Sequence, residues 1–191
     1  MLNQLRPAVV MVALFTLLLG LIYPLGITGL AQAIFPSEAG GSLVRDADGT
    51  VRGSALIGQP FSEARYLHPR PSAAGDDYNA AGSSGSNYGP LNEDLAARVA
   101  ADTAALRAEA NGAAIPADAV TTSGSGLDPE VSPAYARLQA VRVARARGMT
   151  VEQVQAVIDA NTEQPLLGFI GQPRVNVLMT NRALDQRVPA A

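Results

Sequence analysis

Residues Thr121 to Gly148 read TTSGSGLDPEVSPAYARLQAVRVARARG: a Ser/Gly turn, two proline-restrained steps and a run carrying four arginines. These types could cradle a phosphate, with Ser123 and Ser125 in the turn, Asp128 at its end and arginines as clamps. A nucleotide loop of the Gly-x-x-x-x-Gly-Lys-Ser/Thr kind needs a lysine, and all fourteen basic residues of this chain are arginine. A backbone nest for an anion is then the most the turn can offer. Ser132 suits an N-cap, Pro133 the first helical position and Gly148 the stop, so one capped helix accounts for each of these residues. On that helix Arg142 lies beside Tyr135 and Gln139, a polar face expected to meet a partner or the long loop described below. Arg137 falls between Val141 and Ala144 in the apolar arc and is expected to pair internally, with Asp128, Glu130 or Asp185.

Other chemistry is sparse. The chain has no cysteine, no lysine and one histidine, which excludes a thiol nucleophile, a Schiff-base lysine and a Cys/His zinc site. His68 stands in Tyr66-Leu67-His68-Pro69-Arg70. A hydrolase would join it to a serine and an acid, but Gly124-Ser125-Gly126 lacks the nucleophile-elbow spacing, so His68 reads as structural. The alternative kept beside this is a membrane-anchored extracytoplasmic hydrolase using His68 and a serine. Asp76-Asp77, adjacent in a loop, is too sparse a set for calcium. No catalytic, metal or cofactor site of its own is expected. A net charge of −3 with no basic block argues against nucleic acid as a partner.

The elements that must position these residues begin with a span. Between Arg6 and Glu38 lie about 30 residues without a charge, against roughly 20 needed to cross a bilayer core. Ala31-Gln32-Ala33 has the look of a cleavage site, which raises a cleaved, secreted binding module as a rival. The apolar stretch is too long for a signal peptide, whose core is about 7–15 residues. The expected organisation is a tail at 1–7, a transmembrane helix at 8–35, a linker at 36–42 and a soluble domain at 43–191. Arg6 precedes the span and Arg45 is the next basic residue after it, which puts the N-terminus in the cytoplasm and the domain outside.

Within the domain, Leu43–Arg45 and Thr50–Ile57 flank Asp48-Gly49 as a hairpin. A long Gly/Ser-rich loop at 69–91 follows, containing Arg70, Tyr78, Asn79, Ser86 and Asn87; loops of this length are usually functional or disordered. Asn92 caps a helix with a Leu95, Val99, Thr103, Leu106 stripe, stopped by Asn111-Gly112. Ala119–Thr121 reads as a short strand, Thr150 and Gln153 as a capping box, and Val175–Met179 as a strand before a short turn capped by Asn181. Strands and helices mix without βαβ alternation, so the class is α+β: one transmembrane helix and one small mixed α/β soluble domain.

Three stretches, LIGQPFSEARYLHPRPSAAGDDYNAAGSSGSNYGPLN, DAVTTSGSGLDPEVSPAYARLQAVRVARARG and NTEQPLLGFIGQPRVNVLMTNRALD, together carry a likeness. With one span before them, the chain resembles the C subunit of the Kdp-type potassium-transporting P-type ATPase over almost its whole length. The resemblance implies an accessory, non-hydrolysing subunit in the bacterial cell inner membrane. Its partners would be a channel-like potassium-binding subunit and the P-type ATPase subunit, with ATP and potassium acting only at the level of the complex. It also implies a catalytic chaperone that stabilises the assembly and raises the pump subunit's affinity for ATP. The long loop and the arginine helix are then the expected partner-facing surface, through Arg70, Tyr78, Asn79, Ser86, Asn87, Ser123, Ser125, Asp128, Arg142 and Arg145. The chain departs from the family at Glu130, where histidine is common, so no role of that histidine carries over.

Overall fold

The computed structural model describes residues 2–187; Met1, at the head of the expected tail, and residues 188–191, at the end of the expected domain, lie outside it. Two compact units divide at Arg52/Gly53.

The first unit is dominated by an unbroken apolar helix, Leu5–Ile34, whose 30 residues span roughly 45 Å, enough to cross a bilayer. It consists of α1 (Leu5–Leu17), a wider turn at Leu18–Ile22, and α2 (Tyr23–Ile34). The wide turn answers Pro24. A proline has no N–H and crowds the carbonyl four residues back, here Gly20. In the wide turn the Tyr23 N–H reaches back five residues to the Leu18 carbonyl, a local adjustment that lets the helix continue through the proline. After the short α3 (Pro36–Ala39), β1 (Leu43–Arg45) and β2 (Val51–Ser54) pair around a turn in which Asp48 accepts from the Thr50 N–H.

In the second unit, α4 (Glu93–Ala110) starts on Asn92, whose side chain accepts from Leu95, and stops where Asn111 turns left-handed. Val99 and Leu106 of its stripe pack against the core. A small antiparallel sheet has β5 (Arg174–Asn176) at its centre, between β3 (Glu130–Val131) and β4 (Thr162–Glu163). Val175 opposes both Val131 and Thr162 and is fully buried. Around the sheet lie α5 (Pro133–Leu138), α6 (Ala140–Arg147), α7 (Val151–Ala160) and α8 (Val177–Asp185). Their small apolar residues close the core: Ala136, Ala140, Val143, Val154, Val157, Ile158 and Leu184 are buried. The fold is the expected mixture of helix and sheet behind one apolar N-terminal helix. The Thr150/Gln153 capping box is formed in both directions.

Four local expectations are corrected. Ala119–Thr121 is not a strand: Ala117–Ala119 forms a single tight helical turn after Pro116, and Asp118 in it accepts from both the N–H and the hydroxyl of Ser132. Val175–Met179 is strand only to Asn176. The Asn176 side chain caps Met179 and starts α8 there, leaving Asn181 inside the helix rather than at its cap. The helix expected from Ser132 to Gly148 breaks at Gln139. That break changes the phase on which Arg137 was placed, and Arg137 pairs with Asp159 of α7 at 2.7 Å, on the surface.

The break has a purpose visible in the preceding chain. Residues Ala64 to His68 leave a turn closed by the Tyr66 N–H on the Glu63 carbonyl and continue without a strand partner, and side chains take their five carbonyls in turn. Arg142 donates to Ala64 and Tyr66, Arg147 to Arg65, Asn181 to Leu67 and Gln139 to His68. Asn181 and Gln139 also accept the N–H groups of Leu67 and His68, each at 2.7 Å, so each carboxamide acts as one rung of a β-ladder. Two guanidiniums lie over the Tyr66 ring, Arg65 at 4.7 Å and Arg147 at 5.2 Å from its centre.

Candidate functional site

The clamped strap delivers the chain to Pro69 and Arg70, where the long loop begins. Arg70 projects its guanidinium across to the Ser/Gly segment. One nitrogen meets the Asp128 carboxylate at 2.8 Å, and two others reach the carbonyls of Thr121 and Thr122, each at 3.3 Å. The second oxygen of Asp128 accepts the Glu130 N–H, so Pro129 is bridged by an Asp-based turn. One arginine therefore holds both ends of residues 121–128.

Ser72 makes the next tie. Its hydroxyl donates to the Gly126 carbonyl at 2.7 Å and accepts the N–H groups of Ala74 and Tyr78. Gly126 has φ +67°, and a Cβ there would sit 2.6 Å from the Ser84 carbonyl oxygen and 2.7 Å from the Ala74 nitrogen. Only glycine lets the two segments approach this closely. Ser125 takes the Ser84 N–H and the Ser83 hydroxyl on its carbonyl. Tyr78 donates its phenol to the Arg70 carbonyl, and burial pushes that phenol's pKa up, so it is a neutral donor. Asn79 caps the single turn Ala80–Gly82. The two stretches form one interlocked platform.

Most of the residues expected at a site meet here. Arg70, Tyr78, Ser123, Ser125 and Asp128 belong to the interlock, and Asn79 joins it through the Ala74 carbonyl. Ser86 and Asn87 lie further along the same loop; Asn87 adopts φ +55° and its amide touches the Ser84 hydroxyl at 3.5 Å. The anion nest does not form in this arrangement, because the N–H groups of Gly126 and Leu127 are taken by the hydroxyls of Ser123 and Ser125. Arg142 sits apart, bonded to Glu109 at 2.9 Å, to Gln139 and to the strap. Arg145 is exposed on α6, beside a hollow of about 410 Å³ that Glu109, Val141 and Arg142 also line.

A second hollow, about 300 Å³, lies beside the platform and is lined by Phe61, His68, Arg70, Tyr78, Asp102 and Tyr135 among others. The His68 ring meets the Glu63 carbonyl at 3.1 Å, and among the described residues no serine hydroxyl bonds to it. Burial, then the nearby Arg142 guanidinium, hold the His68 pKa below its ordinary value. Burial pushes the Tyr135 phenol up to about 12. These groups give the hydrolase alternative a neutral imidazole without a nucleophile in contact.

Sequence reasoning did not identify Gln139, Asn181 or Arg147 as the residues that hold the strap. Glu130, singled out as a departure, bonds Arg174 at 2.8 Å, and Arg174 also pairs with Glu163 at 2.7 Å. One guanidinium thus joins the two outer strands across β5. Burial raises the Glu130 pKa.

The family model described as "KdpC: K+-transporting ATPase, c chain" matches residues 5–186, anchor and domain alike. A Caulobacter vibrioides protein named "Potassium-transporting ATPase KdpC subunit" is 68% identical over 99% of this chain and 96% of its own length. Proteins with the same name from Beijerinckia indica and Mycobacterium bovis are 60% and 52% identical, covering 99% and 96% of this chain and 96% and 98% of their own lengths. With the apolar anchor, the mixed domain and the interlocked loops in place, the chain belongs to the KdpC family, the C chain of the K+-transporting ATPase.

Proposed function

We propose that this subunit stabilises a potassium-transporting complex by docking its interlocked platform on a membrane partner, and that this docking raises the ATP affinity of the pump subunit. The partners are a channel-like potassium-binding subunit and a P-type ATPase subunit. The observation that carries this reading is the platform. Its guanidinium, hydroxyls and carboxylate are bonded to one another, which suits a shaped surface better than a reaction centre. A docking loop that is already ordered avoids the entropy loss of ordering on contact.

Arg6, in the first turn of the apolar helix, supports a cytoplasmic N-terminus and a domain on the far side of the inner membrane. ATP would then be reached only indirectly. The subunit would bind one conformation of its partners more tightly than another, and that difference sets the coupling.

Affinity purification from native membranes tests the assignment: the tagged chain should bring down both partner subunits. Recovery of a lone protein, with potassium uptake intact after deletion, would refute it. The absence of cysteine allows a clean test of sidedness. A Ser83→Cys variant should label from outside intact inner membranes, and labelling only after permeabilisation would reverse the orientation.

A further inference from the structure

The hairpin joining β4 to β5 ends in Gln164-Pro-Leu-Leu-Gly-Phe-Ile-Gly-Gln-Pro173, ten residues without a charged side chain. At its tip Leu166, Leu167, Phe169 and Ile170 are 68%, 76%, 75% and 51% exposed. Four large apolar side chains within five residues form an exposed patch of the kind that marks a contact site. The backbone beneath them is closed on itself. Leu166 and Ile170 exchange both hydrogen bonds, at 3.0 and 2.9 Å, Gly168 donates to Pro165, and Phe169 donates to Leu166. Leu167 is held at φ +55°, a left-handed conformation that residues other than glycine rarely adopt. The tip is therefore built as an apolar finger.

We propose that this finger enters the acyl–headgroup boundary of the bilayer that the chain's own helix crosses. Hydrocarbon offers no hydrogen bonds, so backbone entering it must be satisfied from within. Within the tip the N–H groups of Leu166, Gly168, Phe169 and Ile170 are satisfied in this way, which suits a shallow seat at the boundary, where headgroups and water reach the rest of the turn. The charges stay at the root, where Arg174 pairs with Glu163 and Glu130. From Glu163 to the tip is roughly 13 Å of extended chain. Interfacial elements bury about 5–10 Å, so the ion pairs remain in the headgroup layer or in water. A second copy of this chain is a poorer occupant. The four side chains offer roughly 500 Å², against about 800 Å² per partner in a stable interface.

The chain contains no tryptophan, so Phe169→Trp makes a single reporter at an exposed position. The full-length variant is reconstituted alone in vesicles of phosphatidylethanolamine and phosphatidylglycerol, where no other protein contributes tryptophan, with iodide supplied to both faces. The expected result is blue-shifted emission that loses at least half its intensity when the lipid acyl chains are brominated near the headgroup, with little quenching by iodide. Tyr88→Trp, on the long loop, should show the reverse. Iodide quenching of Phe169→Trp without an effect of brominated lipid would overturn the proposal. Shielding from both quenchers, or shielding that arises only when the other transporter subunits are added, would overturn it in favour of a protein recess. The test is independent of the docking reading above: a failed quench leaves co-purification standing, and failed co-purification leaves the quench standing.

Discussion

Gln139 and His68 exchange two hydrogen bonds: the His68 N–H donates to the Gln139 carboxamide oxygen at 2.7 Å, and the carboxamide nitrogen donates to the His68 carbonyl at 3.0 Å. Gln139 sits at the break between α5 and α6, and its oxygen also accepts from Arg142. Gln139→Leu keeps much of the volume but leaves these groups unpaired. It should cost roughly 2–5 kcal/mol. Urea unfolding of the detergent-solubilised chain measures this, and a midpoint equal to that of the parent would show that water replaces the amide without loss.

Gly126→Ala tests the interlock. The added carbon meets two backbone atoms closer than 3.0 Å in a left-handed conformation, so the two segments must separate. Hydrogen exchange should accelerate in residues 69–91 and 121–128, while α7 and the central strand keep their protection.

Arg70→Lys keeps a positive charge but loses the fork that spans Asp128 and two carbonyls. Under the docking reading, its yield of co-purified partner subunits should fall. Asp128→Asn should weaken the same tie by roughly 1–3 kcal/mol. Unchanged co-purification by both variants would remove the platform from the partner interface.

His68 sets a pH dependence. Burial, then Arg142, lower its pKa in the folded chain, while the Glu109 carboxylate acts in the opposite sense. The unfolded chain then binds more protons between the lowered value and the ordinary 6.5. Its contribution is fully present above 6.5 and is lost as pH falls through the folded pKa. Glu130 has the opposite sign, since burial raises its pKa; its contribution is present below the ordinary 4.5 and lost as pH rises through the raised value. The measurement is therefore a difference: the His68→Gln stability curve should be flatter than the parent's between about pH 5 and 7.

Local features were legible in the sequence because their partners lie within one turn. The caps at Asn92, Ser132 and Thr150 and the left-handed stop at Gly148 each depend on residues no more than four positions away. The β-branched run through Val177 read as strand because nothing in its composition announces that Asn176 will cap a helix. The arginines were harder still. Arg137 was misplaced because a helical wheel assumes one helix, and the break at Gln139 divides it. Arg142 and Arg147 hold carbonyls 76 to 82 positions earlier, and periodicity carries no information about such distant backbone. The Ser/Gly turn and the long loop were each visible as unusual stretches, but their union depends on a close approach at Gly126 that spacing does not encode.

The bond between Asn181 and Leu67 joins positions 114 residues apart. During synthesis, Leu67 is made long before α8, the last described helix, has been translated. Until α8 docks, the Leu67 backbone must remain hydrated or find a temporary partner. Completion of this domain is consequently a late event in the life of the nascent chain, when the apolar N-terminal helix has long been available to the membrane. A stop codon at the start of α8 would leave the anchor inserted and the strap unfastened, a membrane-bound fragment exposed to proteolysis rather than a slightly shorter subunit.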